Sequence, residues 1–423
     1  MIVTQNDISE RALLVALEQK GKNETTVDDA LTELRELAES AGAKVVGAAV
    51  QKLPAPTPQY FIGAGKAQEL AKRGKEQGAN LIIFDDELSP AQSRNLEQLF
   101  GIRIVDRTEL ILDIFAQRAR TREGKLQIEL AQLQYLLPRL THMWTHLSRQ
   151  KGGIGLRGPG ETQLEVDRRR VQEKIARLQK ELELVRRQRS VQRDGRRRHQ
   201  WPIVAIVGYT NAGKSTLLNT LTGACVDSRD MLFSTLDPTT RRLHLTPTFS
   251  VLMTDTVGFL RKLPVNLVEA FRATLEEVQE ADLLLHVVDA SHPQVESQIR
   301  AVESVLADLS VIHKPRITAL NKADLVSAPG QIDWLKRQQD YAVAISSITG
   351  FGIEELKRAL AVKVWRTAVH IEIRIPNEHA RMIARLHEVA DIFSRTYEEG
   401  WFMAEVRIPI RFLGEFETYF LRE

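Results

Sequence analysis

The pattern of apolar and polar positions divides residues 1–120 into alternating strands and helices. Short apolar runs predict strands at 12–17, 45–50, 81–84 and 102–105. Apolar positions with helical spacing, or polar runs bounded by glycine, predict helices at 26–41, 65–78 and 90–100. This alternation is typical of a small α/β domain with a largely parallel sheet.

Two longer segments carry apolar positions in steps of three and four. They are residues 126–147 and 164–185, and the matching seams predict an antiparallel helical hairpin over 121–199. Its predicted tip, 152–160, contains five glycines and Arg157. Such a tip can lie close to a nucleic-acid backbone while the arginine pairs with a phosphate or stacks on a base. We therefore predict RNA contacts at Gly153, Gly155, Arg157 and Gly158; the alternative is a flexible connector.

An apolar strand at 203–207 runs directly into the spacing Gly-x-x-x-x-Gly-Lys-Ser at 208–215, and a helical segment follows. Strand, glycine loop and helix in this order predict a phosphate-binding loop. Lys214 would reach the β- and γ-phosphates, and the Ser215 hydroxyl would hold Mg²⁺. By contrast, 63–66 (GAGK) lacks this spacing, so we predict a turn or a family-specific contact there.

Later motifs indicate which nucleotide binds. A strand ends in Asp255-Thr-Val-Gly258, where the carboxylate can hold a Mg²⁺-bound water and the glycine N–H can meet the γ-phosphate. Another strand delivers Asn321 to Asp324, and the Asp324 carboxylate can accept the two hydrogen bonds that guanine donates and adenine does not. The loop 346–350 follows the next strand and is placed to close over the base. These motifs predict a GTPase domain at 200–366.

The last segment, 367–423, predicts a small α+β domain. Alternating positions indicate strands at 369–375 and 403–410, and an amphipathic pattern indicates a helix at 377–397. The segment contains no motif to which we assign a function.

Several stretches together resemble the HflX family of GTPases, near the Obg branch of the translation-factor-related class. In chain order they are DRTELILDIFAQRARTREGKLQIELAQL, GGIGLRGPGETQLEVDRR, GYTNAGKS, FSTLDPTTRR, DTVGF, NKAD and ISSITG. The resemblance implies an α/β multidomain protein that binds and hydrolyses GTP with Mg²⁺. It also implies association with the 50S ribosomal subunit and its rRNA, and the splitting or rescue of stalled ribosomes.

The resemblance assigns roles residue by residue. It implies Lys214, Thr235 and Gly258 as catalytic residues, with Thr239 and Thr240 as alternatives for the switch threonine. Mg²⁺ would be held by Ser215 and Thr235, and by Asp255 through water. Asn211 would recruit K⁺. The full set of predicted nucleotide contacts is Gly208, Tyr209, Thr210, Asn211, Ala212, Gly213, Lys214, Ser215, Phe233, Ser234, Thr235, Leu236, Asp237, Asp255, Thr256, Val257, Gly258, Asn321, Lys322, Ala323, Asp324, Ala344, Ile345 and Ser346.

The sequence departs from the usual GTPase pattern at two positions. Ser347 stands where an alanine is usual, and we expect its hydroxyl to be tolerated. Phe259 stands where many GTPases carry the glutamine that orients the attacking water. Because phenylalanine cannot do this, we expect slow intrinsic hydrolysis.

Charge is concentrated in one predicted helix. Residues 168–198 hold thirteen Lys and Arg against four Asp and Glu, a net +9, while the whole chain carries only +3. A basic element on an otherwise acidic chain favours an RNA surface over a merely solvated helix face.

Composition indicates the cellular compartment in which the protein is found. The chain has 423 residues and a single cysteine, and it lacks a long apolar run or a secretory leader. We expect a cytoplasmic protein, in part peripherally bound to ribosomes or membranes, and monomeric away from the ribosome. A tRNA-modifying or other RNA-linked GTPase is the alternative, although the reactive C-terminal cysteine usual in the tRNA-modifying class is missing.

Overall fold

The computed structural model describes residues 10–19, 27–143, 163–199, 201–223, 233, 236, 238–246, 249–262, 272–365 and 368–421. The chain forms two compact units. The first comprises 1–186, 229–237 and 260–273, and the second comprises 187–228, 238–259 and 274–423. Within the described ranges, none of the helices combines the length and apolar composition that crossing a bilayer requires.

The first unit begins with a four-stranded parallel sheet of order β2-β1-β3-β4. Its elements are β1 (Arg11–Gln19), α1 (Val27–Ser40), β2 (Lys44–Leu53), α2 (Ala64–Glu76), β3 (Leu81–Phe84), α3 (Pro90–Phe100), β4 (Arg103–Asp106) and α4 (Arg107–Arg118). β3 is buried along its whole length, as its unbroken apolar run predicts. Ser89 caps α3 through a reciprocal capping box with Gln92, which fixes where that helix begins.

Two long helices follow, α5 (Arg122–Met143) and α6 (Gln163–His199). Lys174 pairs with Glu129 at 2.6 Å, and Glu181 lies 4.0 Å from Arg122. Because the contacts ascend one helix as they descend the other, the helices run antiparallel. Apolar side chains including Ile128, Leu178 and Leu182 are buried along their length.

The second unit contains a six-stranded sheet of order β10-β9-β8-β5-β7-β6, in which only β6 is antiparallel to its neighbour. Its strands are β5 (Ile203–Gly208), β6 (Thr239–His244), β7 (Ser250–Asp255), β8 (Leu283–Asp289), β9 (Arg316–Asn321) and β10 (Ala342–Ala344). Its helices are α7 (Lys214–Thr222), α8 (Arg272–Glu280), α9 (Val295–Asp308), α10 (Gln331–Arg337) and α11 (Ile353–Trp365). The four central strands are apolar and buried, so their polar ends project into loops at one edge.

The predicted helix at 377–397 is wrong in its second half. The last segment forms α12 (Ala380–Val389) and α13 (Leu413–Phe416) beside β11 (Ala368–Pro376), β12 (Asp391–Glu398) and β13 (Trp401–Pro409), in the antiparallel order β11-β13-β12. Glu399 and Gly400 both have positive φ, 43° and 87°, which makes the tight two-residue turn of a hairpin. This turn pairs residues 391–398 with β13, so they join the sheet.

α6 continues without interruption through Gly195 to His199. A glycine inside a helix costs about 1 kcal/mol relative to alanine. The arginines and glutamines around it are good helix formers, and they outweigh that cost.

Candidate functional site

The predicted phosphate-binding loop connects the end of β5 to the start of α7. Gly213 caps α7 with a left-handed backbone, φ 90°, and a Cβ there would lie 2.3 Å from Asn321 Nδ2. A Cβ on Gly208 would lie 2.3 Å from the carbonyl oxygen of Val287 on the neighbouring strand β8. Only glycine fits at these two positions, so the close packing of the loop explains its glycine spacing.

Lys214 and Ser215 open α7 and are both buried. The Lys214 ammonium donates to the carbonyl oxygens of Gly208 at 3.2 Å and Tyr209 at 2.8 Å. Burial lowers the pKa of Lys214 to about 8, although the Asp255 carboxylate opposes that shift. A buried cation at a helix N-terminus, among inward-turned backbone, is suited to binding an anion.

Asp255 ends β7 and meets the glycine loop directly. Its Oδ2 accepts a hydrogen bond from Ser215 Oγ at 2.7 Å, and both residues are buried. Mg²⁺ takes oxygen ligands and is typically held by a carboxylate and a hydroxyl together with nucleotide phosphates. The paired oxygens of Ser215 and Asp255 therefore fit a Mg²⁺ ion.

Phe259 joins the Asp255 motif to the glycine loop through its backbone. Its N–H donates to Gly208 at 3.0 Å, and its carbonyl accepts from the N–H of Thr210 at 2.8 Å. The Thr256 hydroxyl adds a bond to the Ile206 carbonyl at 2.6 Å. The Phe259 side chain is only 3 % exposed, so it packs into the interior.

Asn321, at the end of β9, links three segments. Its Nδ2 donates to the Ala212 carbonyl at 2.8 Å, which reaches the glycine loop. Its Oδ1 accepts from both the N–H of Ser347 at 3.0 Å and the Ser347 hydroxyl at 2.9 Å. The hydroxyl that we expected only to be tolerated therefore contributes a hydrogen bond.

The neighbours of Asn321 shape the predicted base site. Lys322 has a left-handed backbone and pairs with Asp289 at 2.7 Å. The Ala323 N–H donates to the Ile345 carbonyl at 3.0 Å, which holds the 321–324 loop against the end of β10. Asp324 is exposed, and no hydrogen bond or ion pair involves its carboxylate among the described residues. That carboxylate is available to a ligand.

The structure thus brings together the predicted residues of 208–215, 255–258, 321–324 and 344–346 within the second unit. Phe233 and Leu236 are buried in the first unit, where the Phe233 ring packs on Phe115 with centroids 4.6 Å apart. Ser234, Thr235 and Asp237 lie outside the described residues. So do the predicted RNA contacts Gly153, Gly155, Arg157 and Gly158.

Sequence reasoning missed Asp289. It ends β8, holds Lys322, and accepts from the N–H and the hydroxyl of Ser291. A signal was present, because the run Leu283 to Val288 is apolar and a carboxylate follows at once. In a parallel sheet such a residue emerges at the same edge as the other strand ends.

Family models match three parts of the chain. The model "GTP-binding GTPase N-terminal" matches residues 28–116, and "GTP-binding GTPase Middle Region" matches 118–196. The model "50S ribosome-binding GTPase" matches 203–322, which spans the glycine loop, the Asp255 motif and Asn321.

Curated relatives match nearly end to end. The chain is 47 % identical to GTPase HflX of Caldanaerobacter subterraneus subsp. tengcongensis, over 92 % of this chain and 89 % of that protein. It is also 47 % identical to GTPase HflX of Escherichia coli (strain K12), over 90 % of each. A crystal structure of SsGBP with GDP aligns with 25 % identity and a TM-score of 0.49, over 84 % of this chain and 98 % of that one.

Proposed function

The chain belongs to the HflX family of GTPases, and from this premise we propose that it binds the large (50S) ribosomal subunit and splits or rescues stalled ribosomes. One observation carries the nucleotide-dependent part of the proposal. The hydrogen bonds of Asn321 and Phe259 join the glycine loop, the Asp255 motif and the 346–350 loop into one frame. A frame of this kind can respond to both the base and the phosphates of one ligand.

Within this frame we assign the phosphates to Lys214 and the backbone of 208–213. The Asp324 carboxylate takes the guanine N1–H and 2-amino groups, because it is exposed and free to accept. Ser215 and Thr235 would hold Mg²⁺ directly, and Asp255 would hold it through water. When bound, Mg²⁺ neutralises charge on the β- and γ-phosphates. Gly258 and Thr235 sense the γ-phosphate.

We further propose that hydrolysis is slow until the ribosome contributes. Phe259 is buried and its backbone is occupied by Gly208 and Thr210, so its side chain cannot orient a water molecule. Asn211 has an exposed, left-handed backbone, and we assign it to K⁺ binding beside the phosphates. Identical rates of hydrolysis in K⁺ and Na⁺ at equal ionic strength would refute that assignment.

The contact with rRNA is assigned to the helical hairpin. Its second helix, α6, contains the whole of the net +9 stretch at 168–198. Lysine and arginine contacts to phosphate release counterions, so binding should weaken steeply as salt rises. We place Arg157 and the neighbouring glycines at the end that meets RNA.

Sedimentation of the full chain with purified 50S subunits tests the proposal. We expect cosedimentation with a non-hydrolysable GTP analogue, much less with GDP, and dissociation of 70S ribosomes that requires GTP. A variant lacking 152–160 should bind GTP normally and leave 70S ribosomes intact. If the parent pellets equally with GDP and the analogue, or the deleted variant still splits ribosomes, the proposal fails.

The variant Asp324→Asn tests which nucleotide base the site recognises. Its affinity should move from guanosine to xanthosine nucleotides, and ribosome binding should then require the xanthosine analogue. A variant that still prefers guanosine nucleotides would contradict the role of Asp324 alone.

A further inference from the structure

The first unit contains a cavity of about 710 Å³. Its walls are α3, α4, α5 and the start of β4. None of its lining residues belongs to the nucleotide motifs. Ligand pockets for small organic molecules range over about 300–1,000 Å³, so this cavity has the volume of a binding site.

One part of the cavity wall is apolar. Ile104, Leu112, Leu133 and Leu136 line it together with the ring of Tyr135. Leu136 is 38 % exposed although it is a leucine on a helix that packs against α3 and α4. Contact with an apolar ligand would remove this surface from water at about 25 cal/mol per Å².

Two arginines in the wall are already neutralised. Arg103 pairs with Glu109 at 2.8 Å and Asp113 at 3.3 Å. Arg139 pairs with Asp106 at 3.0 Å, and its guanidinium lies over the Tyr135 ring at 3.5 Å. These two cations have their counter-charges within the chain.

Arg94 differs from both. Among the described residues it makes no hydrogen bond and no ion pair, although its Nε atom is buried. The Nε atom has almost no accessible surface, so an anion in the cavity would meet the two Nη atoms, which are not among the buried atoms. The planar guanidinium matches a carboxylate with two parallel hydrogen bonds.

The other charges limit how much negative charge a ligand can bring. Glu97, Glu109 and Asp113 also line the cavity, and burial raises the pKa of each carboxyl. Arg94 is the one lining cation for which the described part of the chain supplies no partner, so it can balance one negative charge. A polyphosphate would bring several further negative charges into a cavity that also holds Glu97, Glu109 and Asp113.

We propose that this cavity binds a small amphipathic monocarboxylate, with its carboxylate on Arg94 and its apolar body on Tyr135 and the leucines. The proposal is independent of the function assigned to the GTP site. It gives the first unit a ligand of its own.

Fluorescence titration of the full chain tests it, with saturating GDP present. The probe is 11-(dansylamino)undecanoic acid, and its methyl ester supplies the same body without the charge. We expect one acid molecule bound per chain and an ester at least about tenfold weaker, since a charge-assisted hydrogen bond is lost.

Three variants assign the binding to the cavity. Arg94→Gln should weaken the acid about tenfold and leave the ester unchanged. Leu136→Ala should weaken acid and ester alike. Arg35→Gln, an exposed arginine on α1 outside the cavity, should change neither.

The proposal is overturned if the acid does not bind one to one, if the ester binds as tightly as the acid, or if Arg94→Gln matches the parent. Displacement of the acid by ATP, or more strongly by dodecyl phosphate than by dodecanoate, would also overturn it, because the site would then prefer more than one negative charge. Circular dichroism of Arg94→Gln checks its fold, and the unchanged ester affinity is a second check.

Discussion

The parallel sheet of the first unit and the mostly parallel sheet of the second each end in a polar cluster, and the two clusters satisfy their charges differently. At the end of β3, the buried pair Asp85 and Arg107 meets at 2.7 Å. Lys262 adds contacts to Asp85 at 2.8 Å and to Asp86 at 2.6 Å, and Arg107 also pairs with Glu33. Here each named charge has a partner of opposite sign.

The described residues at the end of β5 and of its neighbouring strands include the ion pair of Lys322 with Asp289. The other polar side chains of this cluster are held mostly by neutral hydrogen bonds, such as those of Asn321, and the Lys214 ammonium donates to backbone carbonyls. A buried cation held by carbonyls retains a strong attraction for an anion. The same architecture therefore yields a closed structural cluster in one sheet and a ligand site in the other.

The largest predicted effect concerns the ion-pair cluster of Asp85, Arg107 and Lys262 at the end of β3. Arg107→Met should destabilise the first unit by about 3 kcal/mol, the lower end of the cost of breaking a buried ion pair, because the buried Asp85 carboxylate loses its arginine and keeps only Lys262. Hydrogen–deuterium exchange of the β3 amides as a function of urea measures this locally. The exposed Arg35→Met is the control, and a loss below about 1 kcal/mol for Arg107→Met would show that the cluster is not structural.

The next effect concerns the glycine loop at the end of β5. Gly213→Ala should weaken GDP binding by about 100-fold, because its Cβ would meet Asn321 Nδ2 at 2.3 Å on a backbone with φ 90°. Isothermal titration calorimetry gives the affinity. Gly65→Ala is the matched control in the first turn of α2, where a Cβ meets nothing within 4 Å. Equal GDP affinities for the two variants would contradict the packing argument.

The pH dependence of GDP binding should be smaller. The Lys214 amine loses its proton as pH rises through about 8, and only the ammonium pairs strongly with phosphate. Affinity should therefore be about tenfold lower at pH 9 than at pH 7. Lys214→Met should bind weakly and show no such decline. A parent whose affinity stays flat to pH 9 would contradict the lowered pKa.

Deprotonation of Lys214 has the opposite effect on the stability of the fold. The folded-state pKa of Lys214 lies below its ordinary value of 10.5, so burial of the ammonium destabilises the fold at neutral pH. That penalty is relieved as pH rises from about 8 to about 10.5. If GDP binding weakens with rising pH while the free energy of unfolding does not fall, the cause is titration of Lys214 and not general unfolding.

The smallest effect concerns the Ser347 hydroxyl. Ser347→Ala removes one of two hydrogen bonds to Asn321 Oδ1 and should weaken GDP binding about threefold to tenfold. The exposed Ser327→Ala is the control in the same titration. A change below twofold for Ser347→Ala would mean that the backbone N–H alone orients Asn321.

The glycine loop could be predicted from sequence because its strand, loop and helix are contiguous and each has a strong local signal. The bonds around Asn321 could not, since they join positions 109 and 26 residues apart. Local periodicity also failed at Ile392 and Tyr397, whose spacing continues the helical pattern of α12. There the pairing of β12 with β13 outweighed the local pattern, because it packs Tyr397 against Phe402 with ring centroids 5.1 Å apart.

The hydrogen bonds of Asn321 also bear on when the growing chain can first bind GTP during its synthesis. Translation produces the glycine loop first, Asn321 more than a hundred residues later, and Ser347 after that. Domains fold as units while the chain grows from its N-terminus. A nascent chain that stops before Asn321 therefore carries every residue of the glycine loop and still lacks the side chain that binds the Ala212 carbonyl. We therefore expect a nascent chain to bind GTP well only after Asn321 has been synthesised, when most of the GTPase domain is complete.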